Sequence, residues 1–154
     1  LIAVVLFILS AAICGNSSAA SPVSPEEGRQ FFERYIALDG AFDPEFVTLY
    51  SDDTRVRFTR HLPTGQAQEI VVDGAQWKNL LIKLLALAKA RNDRSEYRDP
   101  RYDREGDKLR IRADRYSLRK CYWDKRFYIL LTRRPNGAVY IEEQFFEVRV
   151  LPDC

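Results

Sequence analysis

The chain has 154 residues, 46% of them hydrophobic and 30% charged, enough for one domain with a core of its own. Twenty-four Lys and Arg against 22 Asp and Glu leave a net charge of +2, which by itself implies no special partner. A single His excludes metal sites built on two or more imidazoles, and none of the three Cys falls at Cys-x-x-Cys spacing.

Leu1 to Cys14 carry no charge. A membrane span needs about 20 apolar residues, so this shorter run reads as the apolar part of a secretory signal. Ser18-Ala19-Ala20 supply small residues for cleavage. The expected organisation is a signal peptide over 1–20, a linker over 21–25 and a single domain over 26–154. The signal is read as truncated at its N-terminus, since the usual Met and basic start are missing. It implies a secreted or periplasmic protein with no membrane span in the mature chain. Cys14 raises a lipid anchor, but Ile13 stands where a lipidated Cys normally follows Gly, Ala or Ser.

Ser24-Pro25-Glu26-Glu27 predicts a capping box opening a helix with Phe31, Phe32, Tyr35, Ile36 and Leu38 as its apolar stripe and Gly40 at its end. Asp43-Pro44 caps a second short helix, with Phe46, Val47, Leu49 and Tyr50 on its buried side. Arg55–Thr59 alternates with period two, and Pro63-Thr64-Gly65 turns it into a partner over 68–72. Asp73 then caps the main helix, whose Trp77, Leu80, Leu81, Leu84, Leu85 and Ala88 share one face. Strands are predicted over Glu96–Tyr102, Lys108–Cys121, Phe127–Arg133 and Val139–Val150. Turns fall at Glu105-Gly106-Asp107, Tyr122-Trp123-Asp124-Lys125 and Pro135-Asn136-Gly137.

Helices first and charged antiparallel strands later describe an α+β domain whose sheet is covered on one face. Two hairpins return the last strand beside the end of the first long one. Cys121 and Cys154 are thereby expected to pair as a disulfide in an oxidising compartment, with two free thiols as the alternative. Residues 89–134 hold 16 Lys and Arg against 8 Asp and Glu. Their signs alternate closely, as on a solvated sheet face or a dimer rim, so nucleic acid is not an expected partner. There is no phosphate-loop or dinucleotide glycine pattern and no Gly-x-Ser-x-Gly elbow. Neither cofactor nor metal is expected, and His61 reads as a hairpin residue.

The order of elements, with Leu49-Tyr50-Ser51-Asp52-Asp53 after the second helix, resembles the nuclear transport factor 2-like (SnoaL-like) superfamily, as an exported bacterial-type member, over residues 24–150. The resemblance implies a cone-shaped, curved, mostly antiparallel sheet packed against the N-terminal helices and one long amphipathic helix, the cystatin-like architecture. It also implies an apolar pocket inside the cone. A homodimer through the outer sheet face is implied too, with Tyr140, Ile141 and Phe145 as its apolar residues. In the ketosteroid isomerases of that superfamily, a Tyr in an Arg-Tyr-x-Ala setting and two Asp carry the chemistry. Arg34-Tyr35-Ile36-Ala37 matches the first element. The two Asp positions fall on Phe58 and near Ile129, so that mechanism is not expected.

Strand parity turns Val56, Phe58 and Arg60 inward, with Ile111, Ala113, Arg115 and Ser117, then Phe127, Ile129 and Leu131, then Glu142, Gln144 and Phe146. The expected ligand-binding set is Tyr35, Phe58, Arg60, Trp77, Arg115, Glu142 and Gln144. An ionised Glu142 inside the cone needs Arg115 or Arg60 as partner, unless a bulge turns it to water. The expected function is noncatalytic: binding a small apolar or amphipathic molecule, or serving as an interaction module. One alternative is a lyase, isomerase or cyclase using Tyr35 and Glu142 as acid and base. Another is a basic surface for an anionic polymer.

Overall fold

Ser24 starts helix α1 (Pro25–Ala41) through the expected capping box: its Oγ accepts from the Glu27 amide at 3.2 Å, and Glu27 Oε2 accepts from the Ser24 amide at 2.9 Å. The computed structural model describes residues 20–154, so the apolar leader and Cys14 lie outside the described residues. Gly40 does not end α1. The helix runs on to Ala41, and Phe42 takes the left-handed cap position at φ 54° with its amide on the Leu38 and Asp39 carbonyls. The Arg94 guanidinium lies over the Phe42 ring at 5.3 Å, a contact that helps hold a conformation more often left to glycine. Pro44–Leu49 follows as a 3-10 helix, capped by Asp43 and buried through Phe46 and Leu49.

Seven strands form one sheet: β1 (Tyr50–His61), β2 (Ala67–Asp73), β3 (Ser95–Glu105), β4 (Lys108–Ser117), β5 (Tyr122–Asp124), β6 (Tyr128–Arg133) and β7 (Val139–Arg149). The order is β2-β1-β7-β6-β4-β3, with β5 paired to β4. All pairings are antiparallel except β1 with β7, which is parallel and brings Phe58 beside Phe146. The chain reverses at 118–121 rather than at the predicted 122–125, where Cys121 has φ 48°. The residues expected to turn therefore form β5 and pair back, Arg115 opposite Asp124.

Helix α2 (Gly74–Arg91) is capped by Asp73, whose Oδ1 accepts from the Gln76 amide at 2.8 Å. It lies mainly on β1, while α1 lies on β3 and β4. Trp77, Leu81 and Leu85 are buried, but Leu80 and Leu84 are 40% and 38% exposed. The buried stripe is narrower than the spacing predicts: Trp77, Leu81 and Leu85 meet the core, while Leu84 borders an open recess beside Ser95 and Arg115. Under the helices, Phe32, Tyr35, Phe46, Trp77 and Leu81 pack on Ile111, Phe127, Ile129, Leu131 and Ile141. Cys121 and Cys154 form a disulfide with their Cα atoms 6.1 Å apart, tying the C-terminus to the end of β4. No helix among the described residues is long and apolar enough to cross a membrane.

Candidate functional site

A bulge in β7 decides which of its side chains reach the interior. Leu131 stands opposite Ile141 and Leu130 opposite Glu143, which leaves Glu142 as the extra residue. Ile141 turns into the core, fully buried, and Gln144 and Phe146 follow on the inner face. Glu142 is turned away from the interior and meets Lys108 Nζ at 2.6 Å, half-buried beside Asp53, Thr132 and Arg134. Glu142 is thus removed from the expected site, along with its pairing to Arg115 or Arg60.

Between sheet and helices lies a cavity of about 120 Å³. Phe46, Trp77, Phe127 and Phe146 give it aromatic walls, Tyr35, Tyr50, Tyr97 and Gln144 a polar floor, and Asp39, Ser95 and Arg115 a polar edge. Tyr50 donates to Gln144 Oε1 at 2.5 Å, and Gln144 Nε2 donates to the Tyr35 hydroxyl oxygen at 3.1 Å. Burial raises the pKa of Tyr35, Tyr50 and Tyr97, so all three phenols stay protonated. Burial also raises the pKa of Asp39, against the hydrogen bond its Oδ2 accepts from Tyr97 at 3.0 Å and the charge of Arg115. Trp77 Nε1 is buried without a hydrogen-bond partner.

Arg115 comes from β4, with its side chain 15% exposed and its guanidinium 5.6 Å from the centre of the Phe146 ring. Its Nη2 donates to the Glu147 carbonyl at 2.6 Å, and Nε and Nη2 share Asp124 Oδ2 at 3.4 Å. Asp124 is fully buried, and its shorter bonds come from the amides of Glu147 at 2.7 Å and Arg126 at 3.0 Å. Arg115 and Ser95 also border a second recess of about 250 Å³, fringed by Leu84, Leu87, Arg91 and Arg119. The inner cavity and the outer recess share these two residues.

Of the seven residues expected to bind ligand, Tyr35, Trp77, Arg115 and Gln144 line the one cavity. Phe58 keeps the expected strand face but stacks behind Phe146, ring centres 5.1 Å apart, and does not line it. Arg60, two residues further along β1, is exposed. Asp39, Tyr50, Ser95 and Tyr97 line the cavity and were not expected there. Asp39 carried a usable signal: it stands four residues after Tyr35, on the same side of α1.

The outer face of the sheet also differs from expectation. Ile141 belongs to the core, and Phe145 is only 2% exposed because Arg57 and Arg126 lie over its ring at 5.6 and 4.8 Å and Tyr128 stacks on it at 5.9 Å. These two residues therefore offer no free apolar patch for a dimer. The basic segment is extensively paired: Arg98 with Glu96, Arg110 with Glu105, Arg112 with Asp103, Arg119 with Asp153 and Lys125 with Asp114. His61 is half-buried with its Nε2 3.3 Å from Glu147 Oε1. Among the described residues no cluster of three or more His, Cys, Asp or Glu could hold a metal.

No family model matches the sequence, and no curated protein matches it. Solved structures do match the fold. A nuclear transport factor 2-like protein of unknown function from Pseudomonas putida is 13% identical, with a TM-score of 0.59 over 79% of this chain and 84% of its own. A protein of unknown function with a cystatin-like fold from Nostoc punctiforme is 12% identical, with a TM-score of 0.55 over 85% of this chain and 98% of its own. ActVI-ORFA from Streptomyces coelicolor is 12% identical, with a TM-score of 0.52 over 79% and 95%. At these identities the likeness is one of fold.

Proposed function

We propose that this chain, which has the nuclear transport factor 2-like, cystatin-like α+β fold, is a noncatalytic domain that binds one small molecule in the conical cavity. The carrying observation is the cavity itself: about 120 Å³, walled by four aromatic rings and floored by the Tyr50–Gln144–Tyr35 hydrogen-bond chain. An engineered apolar cavity of about 150 Å³ admits benzene, so a volume of this order is on the scale of a single ring and small for a fused polycycle. The ligand is amphipathic, because the walls are apolar and the edge is polar.

Trp77 lines the cavity and reports on it. Single-ring compounds should raise the melting temperature and shift Trp77 emission, measured in a Trp123→Phe background, while four-ring compounds should do neither. If no compound of either class changes either readout, the binding reading is wrong.

One observation favours a second reading, an acid/base enzyme of the lyase, isomerase or cyclase type. Asp39 is a half-buried carboxyl with a raised pKa on the cavity edge, bonded to Tyr97 and one helical turn from Tyr35. In that reading Asp39 takes the place expected for Glu142. Asp39→Asn should then cost roughly 10²–10⁴-fold in rate, whereas a binding domain loses no turnover.

The proposal includes export and a homodimer. The uncharged leader and the Cys121–Cys154 disulfide support a secreted or periplasmic setting for a 26–154 domain. The dimer rests on the family resemblance, and light scattering on the purified domain tests it.

A further inference from the structure

Several N–H donors around the cavity lack a short protein acceptor. Tyr50 gives its hydrogen to Gln144, and Gln144 gives one to the Tyr35 hydroxyl oxygen, so the chain ends on the Tyr35 O–H, which faces Tyr97. Trp77 Nε1–H is 5% exposed as a residue and unpartnered. Arg115 carries five N–H donors. Only Nη2 makes a short bond, and Nη1 has a single contact, with Ser95 Oγ at 3.5 Å. Charge-assisted N–H to carboxylate bonds lie at about 2.7–2.9 Å. The 3.4 Å approach to Asp124 therefore leaves the guanidinium under-used, and Asp124 itself is held by two backbone amides. Asp39 is the acidic side chain lining this cavity, and one of its oxygens is taken by Tyr97.

Donors left over beside the half-buried Arg115 guanidinium, whose ion pair with Asp124 is long at 3.4 Å, select an acceptor-rich ligand. We infer that the occupant is a small organic carboxylate on a single ring, with the ring among Trp77, Phe127 and Phe146 and the carboxylate on Arg115 where the cavity meets the outer recess. This rests on the cavity-binding reading above. The recess that shares Arg115 and Ser95 with the cavity also holds Arg91 and Arg119; Arg119 is paired with Asp93 and Asp153, so the charge the recess offers an anion is that of Arg91. Leu84 and Leu87, 38% and 45% exposed on the same rim, provide an apolar margin for the part of the ligand that enters first.

The test uses benzoate and benzamide, which share a ring and nearly a shape but differ in charge. Calorimetry on the wild-type domain should give at least tenfold tighter binding of benzoate. Arg115→Gln should erase the preference, and Arg115→Lys, which keeps the charge, should retain part of it; if neither variant folds, the wild-type ratio decides. Equal or tighter binding of benzamide overturns the anion assignment and leaves the cavity reading intact. If neither compound binds at millimolar concentration and single-ring neutral compounds fail as well, both readings fall.

Discussion

Tyr50 and Gln144, 94 residues apart in sequence, share a 2.5 Å hydrogen bond that joins the first strand to the last at the floor of the cavity. Gln144 is 4% exposed, and its amide nitrogen continues the bond to Tyr35. Gln144→Leu keeps the bulk but leaves two buried phenols without their partner. Each orphaned group costs about 1–3 kcal/mol. Urea denaturation should show a loss of that order or more. A change under about 0.5 kcal/mol means that water already serves both hydroxyls.

Leu81 points from α2 into the core at 5% exposure. Leu81→Ala removes buried surface and leaves a cavity, so the domain should lose about 2–5 kcal/mol. Leu84→Ala, on the exposed flank of the same helix, should lose far less. The contrast between the two, measured side by side, checks that the buried stripe is the narrow one.

Gly74 opens α2 against the start of β1. A Cβ there would overlap the Ser51 carbonyl oxygen and press on the Thr54 amide. Helix propensity alone makes Gly→Ala stabilising by up to about 1 kcal/mol in a helix interior. Packing should win at this site, and Gly74→Ala should destabilise by about 1–3 kcal/mol or more.

Glu27 closes the capping box and pairs with Arg133 on β6. The Arg133 hydrogen bond and the Ser24 cap lower its pKa from 4.5 to about 2. Because the folded value lies below the unfolded one, ionised Glu27 contributes stability that is complete above pH 4.5 and is lost as pH falls toward 2. Asp53, also held at about 2 by Ser51 and Arg134, adds to the same acid limb. Glu27→Gln should therefore flatten the fall in stability across that window and leave the rest of the profile in place.

The Cys121–Cys154 bridge closes a separation of 33 residues. In the chain-entropy model such a loop is worth about 3–4 kcal/mol. Non-reducing peptide mapping should recover the linked pair, and Cys121→Ser should lower stability by up to that amount. Finding both thiols free after expression in an oxidising compartment counts against the bridge and against export.

Much of this fold could be read from local pattern, because caps, turns and periodicity are local. Ser24, Asp43 and Asp73 each act as the expected cap. The site was harder to read, because strand parity is a running count that one extra residue resets. Glu142 is that residue in β7, and it separated the correctly placed Gln144 from the misplaced Glu142 and Ile141. Phe58 and Arg60 failed differently. Their face was right, but the cavity ends at Phe146 before reaching them. The exposure of Leu80 and Leu84 depends on how much of α2 the sheet covers, which periodicity within one helix does not contain.

The parallel pairing of β1 with β7 fixes a timetable. Phe58 waits for Phe146, and His61 for Arg149, so the middle of the sheet is missing until nearly the whole chain exists. During synthesis the β1–β2 hairpin and α2 emerge early, with the strand edge that β7 will occupy left open. Contacts of such long sequence separation are also the slow ones to form. A ribosome-bound chain ending before β7 should therefore stay protease-sensitive throughout, because half of the domain has no partner strand on which to close.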